Sequence, residues 1–146
     1  MPIKTFRGLL ANDAIEIVPL HTSDGSIGYR IIKLELIAQS PGAVHNENVV
    51  KIYSTPQTTA TAEIDFSDQE LLGVGFYVQD ASRIYNPSTS VVFDDRIFNQ
   101  DIYITHKMVD ETGLVNYYIE LEQMKLDLSE NTVATLKDIR NIEQPL

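Results

Sequence analysis

The three histidines, the side chains that most often hold a transition metal, are spread along the chain. His21, His45 and His106 lie in different segments, with no close-spaced pair among them. A zinc or iron site needs several nitrogen, oxygen or sulfur ligands that converge on one point. The chain also lacks the His-x-His pattern, followed by a glutamate and a further histidine, of metal-binding cupin barrels. The sequence therefore predicts no metal and no other cofactor.

Acidic residues are abundant, but they form neither a recognisable calcium loop nor a catalytic set. The run Glu63-Ile-Asp-Phe-Ser-Asp68 and the pair Asp94-Asp95 offer oxygen ligands without the glycine-centred spacing of an EF-hand. Gly73-Val-Gly75 lies inside a strand-like run with no helix after it, unlike a phosphate-binding loop. Nucleophile-elbow and kinase motifs are missing, and the absence of cysteine removes thiolate catalysis and disulfides. We predict that the protein is not an enzyme.

The charge of the chain argues against two classes of partner. Its 146 residues carry a formal net charge of −10, from 21 acidic and 11 basic residues, and the basic residues are scattered. Binding to nucleic acid or to an anionic membrane depends on clustered cations. We therefore expect no direct contact with nucleic acid or membranes. The N-terminus lacks the apolar centre of a signal peptide, which predicts that the protein stays in the cytoplasm or in an assembly formed there.

Alternation of apolar and polar residues with a period of two runs through most of the chain before Asp127. This period is typical of strands with one buried side, and turn formers such as Ser23-Asp-Gly25 separate the candidates. The sequence predicts a mostly β protein, a single antiparallel β-sandwich domain over residues 1–146 that is jelly-roll-like with about eight strands. The predicted strands are Ile3–Leu10, Ala14–Leu20, Gly28–Ala38, Val49–Ser54, Leu71–Gln79, Val91–Asp94, Ile102–Lys107 and Asn116–Leu126.

The parity of the apolar residues predicts which strand faces are buried. In the third strand, the even-numbered side that includes Leu34 and Leu36 is the predicted core face, and Lys33 is exposed. In the last strand, the apolar residues are odd-numbered up to Leu121 and even-numbered after Gln123. A shift of one residue exchanges the two faces of a strand, so we predict a β-bulge near Gln123.

The C-terminal segment, residues 129–146, has the pattern of a short helix and a tail. Ser129 is a suitable N-cap, and Val133, Leu136 and Ile139 follow at helical spacing. A helix this short is marginal alone, so we expect it to dock on a surface. Docking on its own sheet and docking on a neighbouring subunit are both open from the sequence.

Two long loops between predicted strands are candidates for contacts with other molecules. They cover residues 55–62 and 80–89 and are rich in threonine, serine, proline or asparagine. Tyr85 in the second loop is the preferred contact residue, because aromatic side chains dominate binding hot spots. The alternative is that Tyr85 packs over its own domain.

Six segments of the chain carry a resemblance to a known family. They are Met1-Pro-Ile-Lys-Thr-Phe-Arg-Gly-Leu-Leu10, Gly28-Tyr-Arg-Ile-Ile-Lys33, Val50-Lys-Ile-Tyr53, Phe98-Asn-Gln-Asp-Ile-Tyr-Ile-Thr-His106, Asn116-Tyr-Tyr-Ile-Glu-Leu-Glu-Gln-Met-Lys-Leu126 and Glu130-Asn-Thr-Val-Ala-Thr-Leu-Lys-Asp-Ile-Arg-Asn141. These segments resemble a family of small virion structural proteins from tailed bacteriophages, especially marine ones. The resemblance spans most of the chain and implies a particle component without catalytic residues.

Given this resemblance, we expect a component of the virion that is assembled in the host cytoplasm. An acidic, compact β domain suits the outer shell surface, as a capsid decoration or cement protein bound to the major capsid protein or to other virion subunits. Such proteins often act as trimers or dimers, since symmetric shell sites favour matching symmetry. Residues 1–10 form a possible docking arm that acts together with the long loops. The predicted contact residues are Ile3, Phe6, Leu9, Leu10, Arg83 and Tyr85.

Three alternatives stay open from the sequence. The first is a structural component of the tail, neck or baseplate, which copy number per particle would distinguish from a decoration protein. The second is a carbohydrate-binding module that recognises the host surface. The third is a small enzyme on a β-barrel scaffold, for which pocket carboxylates with perturbed pKa values would be the sign.

Overall fold

The computed structural model describes residues 2–42, 45–80, 88–109 and 113–127. Among these residues the chain forms strands and no helix, which confirms the predicted mostly β class and the predicted number of strands. The sixth strand lies earlier than predicted and shares only Val91 and Val92 with the predicted range. The predicted C-terminal helix and tail lie outside the described residues. The strands are β1 (Ile3–Ala11), β2 (Ile15–Val18), β3 (Ile27–Ala38), β4 (Asn46–Tyr53), β5 (Leu71–Gln79), β6 (Ser88–Val92), β7 (Ile102–Val109) and β8 (Leu114–Lys125).

The strands form two antiparallel sheets. One has three strands in the order β1-β8-β3, and the other has five in the order β2-β7-β4-β5-β6. Within the ladders, β1 pairs with β8, β2 with β7 and β4 with β5, so early strands pair with late ones in reverse order. The three-stranded sheet therefore joins the first and the last of the described strands, and the five-stranded sheet joins β2 to the late strand β7.

One hydrophobic core joins the two sheets in a sandwich-like arrangement. Alternate residues of each strand turn toward this core, as the period-two pattern requires. The sheets approach most closely where β3 passes over β5. A Cβ atom added to Gly75 of β5 would lie 2.7 Å from Cδ1 of Leu36. The core side chains include Val50 and Ile52 of β4, Ile102 and Ile104 of β7, and Val115, Tyr117, Ile119 and Leu121 of β8.

A β-bulge interrupts β3, and this changes which of its residues are buried. The register with β8 shifts between Ile31 and Lys33, so that β3 has one extra residue. The buried residues are odd-numbered before the shift, as at Ile31, and even-numbered after it, as at Leu34. The predicted core face of this strand is therefore right after the bulge and wrong before it.

The bulge predicted near Gln123 is wrong, because β8 keeps its register there with both neighbours. Gln123 pairs with Tyr29 of β3, and its amide donates to the carbonyl of Pro2 at 2.9 Å. The apolar residues change from odd to even numbers after Gln123 because the strand ends at Lys125. Leu126 leaves the ladder and folds over Gly28, where an added Cβ would lie 2.9 Å from its Cδ2 atom.

Candidate functional site

The structure places the predicted contact residues of the N-terminal segment on two different sides of the sheet. Ile3 and Leu9 are exposed, with 47% and 42% of their surface accessible. Leu10 is buried in the core, and Phe6 packs against that core. Arg83 lies outside the described residues, as does Tyr85. The contact role stays a prediction for all of them. The side chain of Leu10 serves the domain's own packing, and that of Phe6 does so only in part.

The described part of the predicted docking arm belongs to the folded domain, because residues 3–10 lie in an edge strand of the three-stranded sheet. Every residue from Ile3 to Ala11 has a partner on β8, from Glu122 at one end to Leu114 at the other. Their removal would expose the backbone of β8. Any docking role of this segment therefore belongs to the outer face and the open edge of a folded sheet.

The outer face of the three-stranded sheet brings the exposed residues of β1 beside residues of β8 and β3. Residues that are directly opposite one another in antiparallel strands share a face. The apolar end of the face includes Leu9, Leu114 and Ile37, of which Ile37 is 59% exposed. The rows across the sheet are Leu9, Asn116 and Ile37; Arg7, Tyr118 and Glu35; Thr5, Glu120 and Lys33; and Ile3, Glu122 and Arg30.

A shallow groove of about 520 Å³ crosses this face at its apolar end. Its size is within the range of small-molecule sites, although it is open to solvent along its length. Its walls combine aliphatic side chains with an aromatic ring, an amide and two opposite charges. The side chains around it include Arg7, Leu9, Glu35, Ile37, Asn116 and Tyr118.

The electrostatics of the face suit binding more than proton transfer. Desolvation raises the pKa of Tyr118, and the carboxylate of Glu120 raises it further through a hydrogen bond. The phenol therefore stays neutral and acts as a hydrogen-bond donor at neutral pH. Beyond it, Lys33 lies 3.5 Å from Glu35 and 3.8 Å from Glu120. Exposed pairs of this kind contribute little to stability, but they make the far end of the face polar.

The first predicted contact loop, residues 55–62, is held against its own sheet by Lys51. The Lys51 ammonium donates to Oγ1 of Thr61 at 2.8 Å and to the carbonyl of Glu63 at 2.6 Å, and the residue is only 3% exposed. Burial lowers its pKa, which Asp68 and Glu63 partly offset. Burial also raises the pKa of the neighbouring Tyr53 to about 12. Lys51 and Tyr53 have side chains that could take part in proton transfer, but the loop covers them. Their role in this structure is to hold the loop against the sheet.

His106 is the centre of a second buried polar cluster. Its Nδ1 atom lies 2.9 Å from the carbonyl of Ala11 and its Nε2 atom 3.0 Å from Oδ1 of Asn48. The Asn48 amide donates in turn to Asn46 and to the carbonyl of Tyr77. Burial lowers the pKa of His106, and the hydrogen bond to Ala11 opposes this effect. With no exposed surface, His106 ties the end of β1 to β7 and β4.

Sequence reasoning missed the central residues of the face, Tyr118 and Asn116, because they come from a strand distant from β1 in the chain. The sequence did contain one signal for β3, the other strand of this face. Ile37 is an apolar residue on the side of β3 that carries Lys33 and Glu35. An apolar residue on the charged side of a strand indicates that this side is a candidate binding surface.

The part of the chain that the structure describes contains no cluster of three or more histidine or acidic side chains that could hold a metal ion. Those residues also include no helix of a length and hydropathy that would cross a membrane. No protein-family model matches the chain, and the comparison with curated proteins gives no match.

Proposed function

We propose that this protein is a non-enzymatic structural subunit of a tailed-bacteriophage virion, and that it decorates the outer surface of the shell. The outer face of the three-stranded sheet carries this proposal. There Leu9, Ile37 and Leu114 stay exposed beside Tyr118, next to a rim of ion pairs. Apolar and aromatic residues inside a polar rim are the usual composition of a protein-binding surface.

The strand pairing supports a jelly roll as the finer description of the fold. A jelly roll is a folded hairpin in which the first strand pairs with the last, the second with the seventh, and so on inward. Here β1 pairs with β8, β2 with β7 and β4 with β5. β3 and β6 lie on either side of a gap of about 250 Å³ instead of forming a ladder. Viral capsid and lectin domains use this architecture, and the helix predicted at 129–140 would be an addition to it.

The charge of the chain supports the outer side of the shell as its position. With a net charge of −10, the protein is repelled by packaged nucleic acid, which disfavours the inner side of the shell. The partner in this proposal is the major capsid protein. The contact is made through the apolar end of the face, where burial of exposed apolar side chains favours association and is offset by the cost of ordering the two partners.

The test is a binding assay with shells that lack this protein, and with two matched substitutions. Ile37 lies on the proposed face and Ile17 on the edge strand β2 of the other sheet, and they are exposed to similar extents, 59% and 57%. Ile37→Glu should weaken shell binding by at least about tenfold, equivalent to roughly 1.4 kcal/mol. Ile17→Glu should bind like the unmodified chain. Full binding by Ile37→Glu, with circular dichroism showing both variants folded, would reject this face.

Carbohydrate binding is a second candidate function, and the groove is the observation that favours it. An open groove of about 520 Å³ with the Tyr118 ring, Asn116 and Glu35 offers a stacking surface and hydrogen-bonding groups to a sugar. A glycan array probed with the unmodified chain and with Tyr118→Ala separates the two functions. Specific glycan binding that Tyr118→Ala abolishes, without loss of shell binding, would support the second function.

A further inference from the structure

The three-stranded sheet has an open edge at β1. No described residue pairs with the side of β1 that faces away from β8. In an antiparallel ladder, successive residues direct their N–H and C=O groups to opposite sides. Because the amide of Gln123 donates to the carbonyl of Pro2, the even-numbered residues of β1 bond to β8. The backbone groups of the odd-numbered residues Ile3, Thr5, Arg7 and Leu9 face the open edge. The carbonyl of Ala11 already accepts from the amide of Ala14 and lies 2.9 Å from Nδ1 of His106.

This edge lacks most of the features that usually prevent a strand from pairing with another chain, namely proline, bulges, very short strands and covering segments. Of the charged residues that also serve this purpose, it carries Lys4 and Arg7. β1 is nine residues long, has no proline between Ile3 and Ala11, and pairs with β8 without a register shift. By contrast, β2 is only four residues long. At the other edge of the same sheet, Tyr29 of β3 is bridged to Phe98.

We propose that β1 pairs with β1 of a second copy of this chain, in antiparallel orientation about a two-fold axis at Phe6. The two three-stranded sheets then become one continuous sheet. Ile3 lies opposite Leu9 of the second copy, and Thr5 lies opposite Arg7. The exposed apolar side chains of β1 lie side by side on the outer face, and about eight backbone hydrogen bonds form across the new edge.

Charge selects this register over its nearest alternative. An axis at Arg7 would place the two Arg7 side chains directly opposite one another, which is unfavourable. With the axis at Phe6, Arg7 of the second copy lies beside Thr5, and the next residue in that row is Glu120. β1 carries Lys4 and Arg7 with no acidic residue before Asp13, so Glu120 supplies the opposite charge across the dimer.

Phe6 gives independent support for a partner at this edge. It points to the core side of the sheet but is only half-buried, whereas Leu10 on the same side is 1% exposed. At the two-fold axis, Phe6 packs against Phe6 of the second copy. Aromatic cross-strand pairs are among the more stabilising pairs in antiparallel sheets.

Disulfide trapping tests the register, because the chain contains no cysteine. Ile3→Cys and Leu9→Cys are prepared as separate proteins, mixed, and oxidised. The mixture should give a covalent heterodimer on a non-reducing gel. Each protein alone should run as a monomer on that gel, because the two cysteines of its homodimer lie about 20 Å apart across the axis. A mixture that gives no covalent dimer would overturn the proposal. Cross-linking of Arg7→Cys with itself, without the Ile3–Leu9 product, would also overturn it.

A second measurement needs no cross-link. Thr5→Pro removes an N–H that faces the open edge and leaves the ladder to β8 intact, a position where a sheet accepts proline; Thr5→Val keeps the N–H. In sedimentation equilibrium at about 100 µM, a concentration suited to a small interface, the unmodified chain and Thr5→Val should be dimeric. Thr5→Pro should raise the dissociation constant at least tenfold. A monomeric unmodified chain would overturn the proposal, and this result is independent of shell binding.

Discussion

Replacing Gly75 with alanine should destabilise the protein, because the two sheets leave no room for a methyl group at that position. A Cβ atom there would lie 2.7 Å from Cδ1 and 3.1 Å from Cγ of Leu36, and 3.3 Å from Cδ2 of Leu34. Both leucines are buried in the core. The methyl group therefore forces either a rotamer change of Leu36 or a separation of β3 from β5.

Gly73 provides a matched control on the same strand and the same side. A Cβ atom there meets nothing nearer than the carbonyl of Val91 and Cγ1 of Val92, both at 3.4 Å. Glycine to alanine stabilises a chain by roughly 0.4–1 kcal/mol where the backbone permits, through the unfolded state. Overpacking of a core destabilises it by about 1–3 kcal/mol. We expect Gly73→Ala to be neutral or slightly stabilising and Gly75→Ala to lose roughly 1–2 kcal/mol.

Urea unfolding followed by tyrosine fluorescence measures both changes, since the chain has seven tyrosines and no tryptophan. The midpoint should fall for Gly75→Ala and hold or rise for Gly73→Ala. Adding Leu36→Ala to each background gives a second comparison. That truncation should destabilise the Gly75→Ala protein less than the unmodified one, because the added methyl occupies part of the vacated space. A Gly75→Ala protein as stable as Gly73→Ala would refute the close contact of β3 with β5.

Three further changes test the buried polar groups. Burial lowers the pKa of His106, so at low pH the unfolded chain binds a proton that the folded chain does not. The free energy of unfolding should therefore decrease as pH falls below about 6.5. In His106→Gln, the urea midpoint should lack this part of the pH dependence. The carboxylate of Asp101 accepts hydrogen bonds from the amides of Leu20 and His21. Burial alone would raise the pKa of Asp101, but hydrogen bonds from the His21 side chain and from these amides lower it. The contribution of Asp101 to folding stability should therefore be complete above about pH 4 and disappear at lower pH. Thermal unfolding of Asp101→Asn should show a loss of roughly 1–2 kcal/mol at neutral pH. Lys51→Met should speed proteolytic cleavage within residues 55–70, because the ammonium no longer holds that loop; an unchanged cleavage rate would contradict the fastening role.

The eight strands were predictable because alternation with a period of two directly reflects the two sides of a β-strand. The bulge in β3 was not, since Ile32 is apolar and nothing in its sequence distinguishes an extra residue from a regular one. For β8 the pattern predicted a bulge that is not there. The parity change after Gln123 reflects the end of the strand, where Leu126 folds over Gly28. A β-bulge and a strand end change the parity of the apolar residues in the same way, so the sequence does not distinguish them.

The candidate site was predictable only on β1. The prediction covered Ile3, Phe6, Leu9 and Leu10 together, and only Ile3 and Leu9 are exposed. The neighbours of Leu9 on this face, Asn116 and Ile37, come from β8 and β3. A period-two pattern gives the side of a strand but not the order of strands in a sheet. Likewise, nothing near Lys51 indicates its burial, since a loop from later in the chain covers it.

The central claim is that this chain is a building block of a virion whose role is adhesion to other subunits. The most direct measurement is the amount of the protein relative to the major capsid protein, by quantitative mass spectrometry of salt-washed, purified particles. Decoration of the shell predicts a fixed, simple ratio to the capsid protein, set by the symmetry of the shell sites. Loss of the protein from intact washed particles, or its absence from them, would contradict the claim.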